Sequence, residues 1–149
     1  MITGCDTGFG NQLAVECDKL GFHVFAGVLE PDGNGAKDLM KTCSQRTRIL
    51  RLNVTIDDQV INALTQIESS GLPLWAVINN AGICVAAPIE WGKDDKRLTD
   101  IFDVNVFGAV RVAKHCLPLL RQSKGRIINI SSIAGMSEAE MCILLINFN

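Results

Sequence analysis

Three glycines near the start of the sequence stand where a short strand gives way to a helix. They are Gly4, Gly8 and Gly10, directly after the apolar run Met1–Thr3. Glycine lets a strand turn sharply into a helix and lets backbone approach a ligand with no Cβ between them. The first N–H groups of such a helix, with the positive end of its dipole, suit a pyrophosphate. The spacing therefore predicts phosphate binding, with a purely structural turn as the alternative.

Polar residues also follow two later apolar runs. Asn79-Asn80-Ala81-Gly82 follows the run Leu74–Ile78, and Ser131 and Ser132 follow the run Gly125–Ile130. The carboxyl ends of parallel strands meet at one edge of a sheet, in the crevice where ligands bind. These polar residues are therefore predicted to line a binding crevice, although ordinary strand-ending turns would read the same way.

The elements that position these residues alternate between strand and helix. Helical spacing of apolar residues covers Asn11–Leu20, and a second helix ends near Cys43. Thr55 and Asp58 read as a capping box that opens a third helix, which ends near Ser69. The predicted strands are Met1–Thr3, His23–Leu29, Arg48–Val54, Leu74–Ile78 and Gly125–Ile130, and residues 83–95 read as a loop. The fold class is therefore α/β, a doubly wound, Rossmann-like parallel sheet of order 3-2-1-4-5.

A long helix is predicted over Leu98–Leu120. Its apolar residues cover most of its circumference, which is typical of a helix buried on two sides. One side would pack on the sheet, and the other could meet a second copy of the chain in a homodimer. Asn105 is a polar residue within this apolar stretch, and a buried amide needs hydrogen-bond partners. Those partners could be purely local.

Composition excludes several function classes. The net charge is −2 and no basic run occurs, which argues against a nucleic-acid partner. The six cysteines form no Cys-x-x-Cys pair and there are two histidines, so no metal site is expected. Apolar residues make up 48% of the chain, yet no run approaches the roughly 20 residues of a membrane span. A cytoplasmic protein with reduced thiols is the expectation.

The glycine motif, Asn79–Gly82, Asn105 and Asn129–Ser132 occur in this order at spacings that resemble the short-chain dehydrogenase/reductase family. Among its members, the steroid and retinol dehydrogenases are the most similar. The resemblance implies an oxidoreductase that interconverts a secondary alcohol and a ketone, or retinol and retinal, with NAD or NADP. The substrate would be a small hydrophobic alcohol or ketone. Such relatives are often anchored to the endoplasmic reticulum by an N-terminal segment, which is not expected here.

Site residues follow from the same resemblance. It gives catalytic roles to Ser132 and Asn105, with Ser131 facing the other way. Where the family usually has Asp to bind adenine, this chain has Asn53, whose amide weakens the contact without excluding it. Glu30 follows the second strand with no Lys or Arg before Lys37, which favours NAD over NADP. The implied cofactor contacts are Thr3, Gly4, Asp6, Thr7, Gly8, Phe9, Gly10, Val28, Glu30, Asn53, Val54, Asn80, Ala81 and Gly82.

The family pattern breaks near the end of the sequence. The positions of the family's catalytic tyrosine and lysine fall near Leu145 and Asn149, and the chain contains no tyrosine. Residues 1–135 therefore read as the dinucleotide-binding portion of a dehydrogenase, and residues 136–149 as a tail that the family does not share. On this interpretation the chain is a truncated product, incomplete on its C-terminal side and inactive by itself. The alternative is a non-catalytic isoform that binds cofactor or dimerises.

Overall fold

The computed structural model describes residues 1–84 and 96–132. Helices and strands alternate along the chain up to the long helical region. Their bounds are α1 Gly8–Lys19, β1 Val24–Val28, α2 Asn34–Thr42, β2 Thr47–Arg51, α3 Asp57–Ser69, β3 Ala76–Asn79, α4 Lys96–Phe102, a π-helical segment Asp103–Gly108, α5 Ala109–Ser123 and β4 Arg126–Asn129. The tail from Met136 and most of the predicted loop lie outside the described residues.

The strands form a parallel arrangement in which the first strand is reduced to a bridge at Ile2. β1 pairs with β2, and β3 pairs with β4, both in parallel register. Ile2 bridges the two pairs through Ala26 on one side and Ile78 on the other. Counting Met1–Thr3 as the first strand, the spatial order is 3-2-1-4-5, as the sequence predicts.

Apolar side chains pack on both faces of this sheet. On one face Ala14 of α1 and Leu39 of α2 belong to a cluster with Val28. On the other face Ile67 of α3 and Val112 of α5 belong to a cluster with other buried strand residues. Alternating strands and helices can bury their apolar sides only in such a layered structure. The predicted α/β, Rossmann-like fold class is confirmed.

The predicted capping box at the start of α3 is wrong. The N-cap residue is Ile56, and no side chain caps the helix there. The Thr55 hydroxyl instead donates to Asn53 Oδ1 at 2.8 Å, and the Thr55 N–H donates to the same oxygen at 3.0 Å. Asn53 thus forms a local side-chain turn that competes with helix capping. Gln59 Oε1 accepts the Asn53 N–H at 2.8 Å, which ties the first turn of α3 to the end of β2.

The predicted long helix is present but contains an irregular turn. α4, the π-helical segment and α5 follow one another without a break from Lys96 to Ser123. A π-helical turn holds an extra residue and is common at functional sites. Asn105 lies within it. Phe107 and Val110 are 56% and 59% exposed, so the described residues leave these two apolar side chains of the helix uncovered.

Within residues 1–84 and 96–132, no helix has both the length and the apolar character that a bilayer crossing requires.

Candidate functional site

The glycine turn presents the N-terminus of α1 at the carboxyl edge of the sheet. Gly8 is the first residue of α1, has a φ of +60°, and would have open space around an added Cβ. At Gly10 an added Cβ would collide with the Gly4 carbonyl and the Asn80 amide, so that position must stay small for packing. No side chain caps α1 at Thr7, which leaves its first N–H groups available to an anion. We call this open space beside Gly8, with the N–H groups that face it, the cradle; a helix N-terminus of this kind suits an anion such as a phosphate group.

The Asn79–Gly82 turn is held against this cradle by hydrogen bonds. Asn80 Nδ2 donates to the carbonyls of Thr3 and Gly4, at 2.9 and 3.1 Å. The Thr3 hydroxyl oxygen accepts the N–H groups of Asn80 and Ala81, at 3.0 and 2.9 Å. Thr3 itself is buried, with 1% of its surface exposed. Its side chain therefore fixes the two loops relative to each other.

A cleft of about 610 Å³ runs from the glycine turn towards the end of β2. We call it the first half of the site. Its wall opposite the glycine turn belongs to α4 and the π-helical segment. The lining residues are Gly4, Asp6, Thr7, Phe9, Leu29, Leu52, Asn53, Val54, Thr55, Asn80, Ala81, Gly82, Ile83, Asp100, Asp103 and Val104.

Acidic side chains dominate the charge of the first half. Asp6, Asp100 and Asp103 line it, and its described lining includes no Lys or Arg. The Asp6 carboxylate accepts the Leu29 N–H at 2.9 Å and the Glu30 N–H at 3.2 Å. These bonds hold a negative charge at the end of β1, where dinucleotide enzymes distinguish a ribose hydroxyl from a phosphate. Glu30 is exposed there but is not among the lining residues.

A second cleft of about 550 Å³ adjoins the first and shares Phe9 and residues 80–83 with it. We call it the second half of the site. Its remaining lining comes from the helical wall and from the end of β4. These residues are Asn79, Cys84, Asn105, Val106, Ala109, Val110, Ala113, Asn129, Ile130, Ser131 and Ser132.

Amide side chains organise the second half. Asn105 accepts the Ile83 N–H and donates to the Ile83 carbonyl, both at 2.8 Å. These two hydrogen bonds to the backbone of one residue fix the chain just after the Asn79–Gly82 turn. Asn79 Nδ2 donates to Asn129 Oδ1 at 2.9 Å, which joins the ends of β3 and β4 beneath the cleft. Ser132 also lines this cleft, three residues after Asn129.

The structure divides the predicted cofactor contacts into two groups. Those that line the first half are Gly4, Asp6, Thr7, Phe9, Asn53, Val54, Asn80, Ala81 and Gly82. Thr3, Gly8, Gly10, Val28 and Glu30 are not among the lining residues of either half. Both predicted catalytic residues, Asn105 and Ser132, line the second half.

Sequence reasoning missed the acidic wall of the first half. Asp100 and Asp103 are three residues apart, which places them on one face of a helix. That spacing is the signal that could have identified them. Asn129 belongs to the motif Asn129–Ser132, but its hydrogen bond with Asn79 was not predicted.

Two buried thiols of the protein core have raised pKa values. Burial raises the pKa of Cys5, below the glycine turn, to about 12. Burial likewise raises the pKa of Cys116 on α5 to about 12. Both thiols stay protonated near neutral pH and act as small apolar groups. No group of three or more potential metal ligands occurs among the residues whose positions are described.

Comparisons with known proteins agree with this geometry. The family model described as short chain dehydrogenase matches residues 1–143. Estradiol 17-beta-dehydrogenase 2 of Rattus norvegicus is 44% identical over 146 residues, covering 95% of this chain and 38% of the rat protein. Retinol dehydrogenase 7 of Mus musculus is 40% identical over 136 residues, covering 90% of this chain and 42% of the mouse protein. The chain thus spans about two fifths of the length of these relatives.

A solved structure with a bound dinucleotide has a similar fold. ElxO with NADP bound superposes with a TM-score of 0.81 at 25% identity, covering 93% of this chain and 56% of ElxO. The matched family model, the relatives and this fold lead to one conclusion. The chain belongs to the short-chain dehydrogenase family, whose members are oxidoreductases acting on CH–OH groups.

Proposed function

We propose that this chain is the NAD-binding portion of an oxidoreductase that interconverts a secondary alcohol and a ketone, or retinol and retinal. The observation that carries the proposal is the open cradle at Gly8, where the uncapped N-terminus of α1 faces the first half of the site. Residues 1–135 would form this portion, with residues 136–149 outside it.

The residues of the first half fit a dinucleotide. The N–H groups at the start of α1 would bind the diphosphate, and Asn53 and Val54 would contact the adenine. The Asp6 carboxylate would accept hydrogen bonds from the adenosine ribose hydroxyls. When bound, NAD supplies the nicotinamide ring that accepts or gives the hydride.

The charge of the first half favours NAD over NADP. A 2′-phosphate would carry its negative charge towards Asp6, Asp100 and Asp103, with no described lining cation to offset it. The Leu29 and Glu30 N–H groups, which could otherwise bind that phosphate, already donate to Asp6. ElxO has a similar fold and binds NADP, so the fold itself is compatible with either cofactor.

The second half suits an apolar alcohol or ketone. Val106, Ala109 and Val110 supply an apolar wall, and Ser132 supplies a hydroxyl that can donate to the substrate oxygen. A steroid or retinoid fits this lining, as the names of the rat and mouse relatives suggest. The group that would exchange the proton in family members is a tyrosine, and the 149 residues contain none. We therefore propose that this chain alone binds cofactor without turning over substrate.

Fluorescence titration with NADH tests the proposal. The wild-type chain should bind NADH saturably, and Gly8→Val should reduce the affinity at least tenfold, about 1.4 kcal/mol. A Cβ at Gly8 would fill the cradle, and the positive φ disfavours any other residue. Gly71→Val is the matched control, because Gly71 also has a positive φ with open space but lies in the turn between α3 and β3, away from the N-terminus of α1. Equal NADH affinity in wild type and Gly8→Val would contradict the proposal.

A second candidate function is a non-catalytic subunit that dimerises through the long helix. The exposed side chain of Phe107 on this helix favours it, since aromatic residues are enriched at protein–protein interfaces. Sedimentation should show a dimer at micromolar concentration, and Phe107→Asp should convert it to a monomer. A wild-type chain that sediments only as a monomer would rule this candidate out.

A further inference from the structure

Arg111 connects three parts of the molecule around the end of β2. Its guanidinium Nη1 donates to the Val54 carbonyl at 2.6 Å, and Nη2 lies 3.5 Å from Asp103 Oδ1 of the π-helical segment. Its Nε lies 3.9 Å from Asp57 Oδ1 in the first turn of α3. The side chain is 24% exposed, so water screens these charges only in part.

The Val54 carbonyl needs this donor. The last sheet-type bond along β2 runs from the Leu52 N–H to the Val28 carbonyl at 2.8 Å, after which the chain leaves the sheet. Val54 is 4% exposed, and a carbonyl buried without a donor is costly. Arg111 donates to this carbonyl, and a charged donor makes the stronger kind of hydrogen bond.

Two further contacts hold the same region. His115 Nε2 lies 2.9 Å from Asp57 Oδ1 and donates to it when that nitrogen carries the proton. This contact anchors the carboxylate that Arg111 also faces. Gly108 packs directly on the Val54 side chain, where an added Cβ would lie 2.6 Å from Val54 Cγ2. The chain just after β2 is therefore held against the π-helical segment and α5.

We propose that Arg111 is a positioning residue for the adenine end of the site. It would hold Asn53 and Val54 at a fixed distance from Asp103, so that the adenine ring enters a slot of constant width. This inference rests on the proposed dinucleotide function and adds to it a residue that does not itself line either half of the site.

Titration with ADP-ribose, which carries the adenine, both riboses and the diphosphate, tests the proposal on the full chain. Arg111→Met should raise the Kd for ADP-ribose about tenfold, equivalent to 1.4 kcal/mol. Arg111→Lys should recover part of the affinity, because the ammonium can donate to Val54 but cannot bridge to Asp103 as a planar fork does. Arg121→Met, an exposed position on the same helix, should leave the Kd unchanged.

Amide NMR spectra of the free variants separate positioning from general damage. Arg111→Met should shift the resonances of Asn53–Thr55 and leave those of Gly8 and Gly10 in place. An Arg111→Met chain with wild-type affinity, or one that shifts the glycine turn equally, would overturn the assignment. If Arg111→Met does not fold, Arg111→Lys carries the test, and an unchanged Kd in that variant would overturn it. Wild-type chain that binds neither ADP-ribose nor NADH would instead refute the proposed function.

Discussion

The two halves of the site differ in how firmly the described chain holds them. In the first half, Leu52 and Val54 are 2% and 4% exposed, and hydrogen bonds fix Asp6 and Asn80. In the second half, the strand that delivers the serines is open, with Ile128 and Ile130 40% and 45% exposed. The described residues therefore hold the first half on buried, hydrogen-bonded groups, whereas the second half ends on an exposed strand.

This difference separates binding from chemistry. A preformed first half loses little conformational entropy when a ligand binds, so it can supply affinity by itself. Hydride transfer needs the alcohol carbon held close to the nicotinamide, and such positioning depends on walls around the substrate. We therefore expect the chain to bind the cofactor without catalysing hydride transfer.

The largest expected effect is on turnover. The 149-residue chain should give no measurable oxidation of estradiol, testosterone or retinol with NAD or NADP. Replacing residues 136–149 with the corresponding later segment of a related dehydrogenase, including its tyrosine and lysine, should restore turnover. General acid–base catalysis contributes roughly 10²–10⁴-fold, so the gain should be of at least that order. Dehydrogenase assays on chain purified free of host enzymes measure it.

Within that chimera, Ser132→Ala should remove most of the restored activity, because the serine hydroxyl can no longer donate to the substrate oxygen. Ser69→Ala, at an exposed position at the end of α3 that lines neither half, is the control and should retain it. Steady turnover by the 149-residue chain itself would show that the second half of the site is complete without a tyrosine.

A smaller effect is expected on cofactor choice in the first half. Asp6→Ser should raise the affinity for NADPH roughly tenfold, about 1.4 kcal/mol, because it removes a negative charge and frees the Leu29 and Glu30 N–H groups. NADH affinity should change less and in the opposite direction. Asp32→Ser, an exposed acid that does not line either half, is the control. An NADPH-to-NADH affinity ratio that is the same in wild type and Asp6→Ser would show that Asp6 does not set the preference.

The sequence predicted the strand order because alternating apolar runs and helical spacings leave few topologies. The family resemblance also assigned Asn105 and Ser132 to the site, and both line its second half. The sequence did not predict the role of Asp6, because the bonds from Leu29 and Glu30 cross 23 and 24 residues of chain. The hydrogen bond from Arg111 to the Val54 carbonyl joins residues 57 positions apart, and the sequence did not predict it either. Such long-range side-chain hydrogen bonds depend on tertiary packing, which local sequence patterns do not predict.

The helix starting at Asp57 shows the same limit on a local scale. Thr55 and Asp58 have the residue types of a capping box, but the Thr55 hydroxyl donates to Asn53 Oδ1 and does not cap the helix. Because a threonine hydroxyl can either cap a helix or bond to a neighbouring side chain, the surrounding structure decides between the two. Element boundaries are therefore less predictable than element order.

An amide NMR titration with NADH tests the central claim most directly, because it locates the binding site residue by residue. We expect saturable shifts at Gly8 and Gly10, at Asn53–Thr55 and at Asn80–Gly82, with little change at Phe22 and Lys124 on the opposite edge of the sheet. The shifts should be absent in Gly8→Val. Saturable shifts confined to the exposed face of α5, or no shifts at millimolar NADH, would contradict the claim that this chain carries a dinucleotide site.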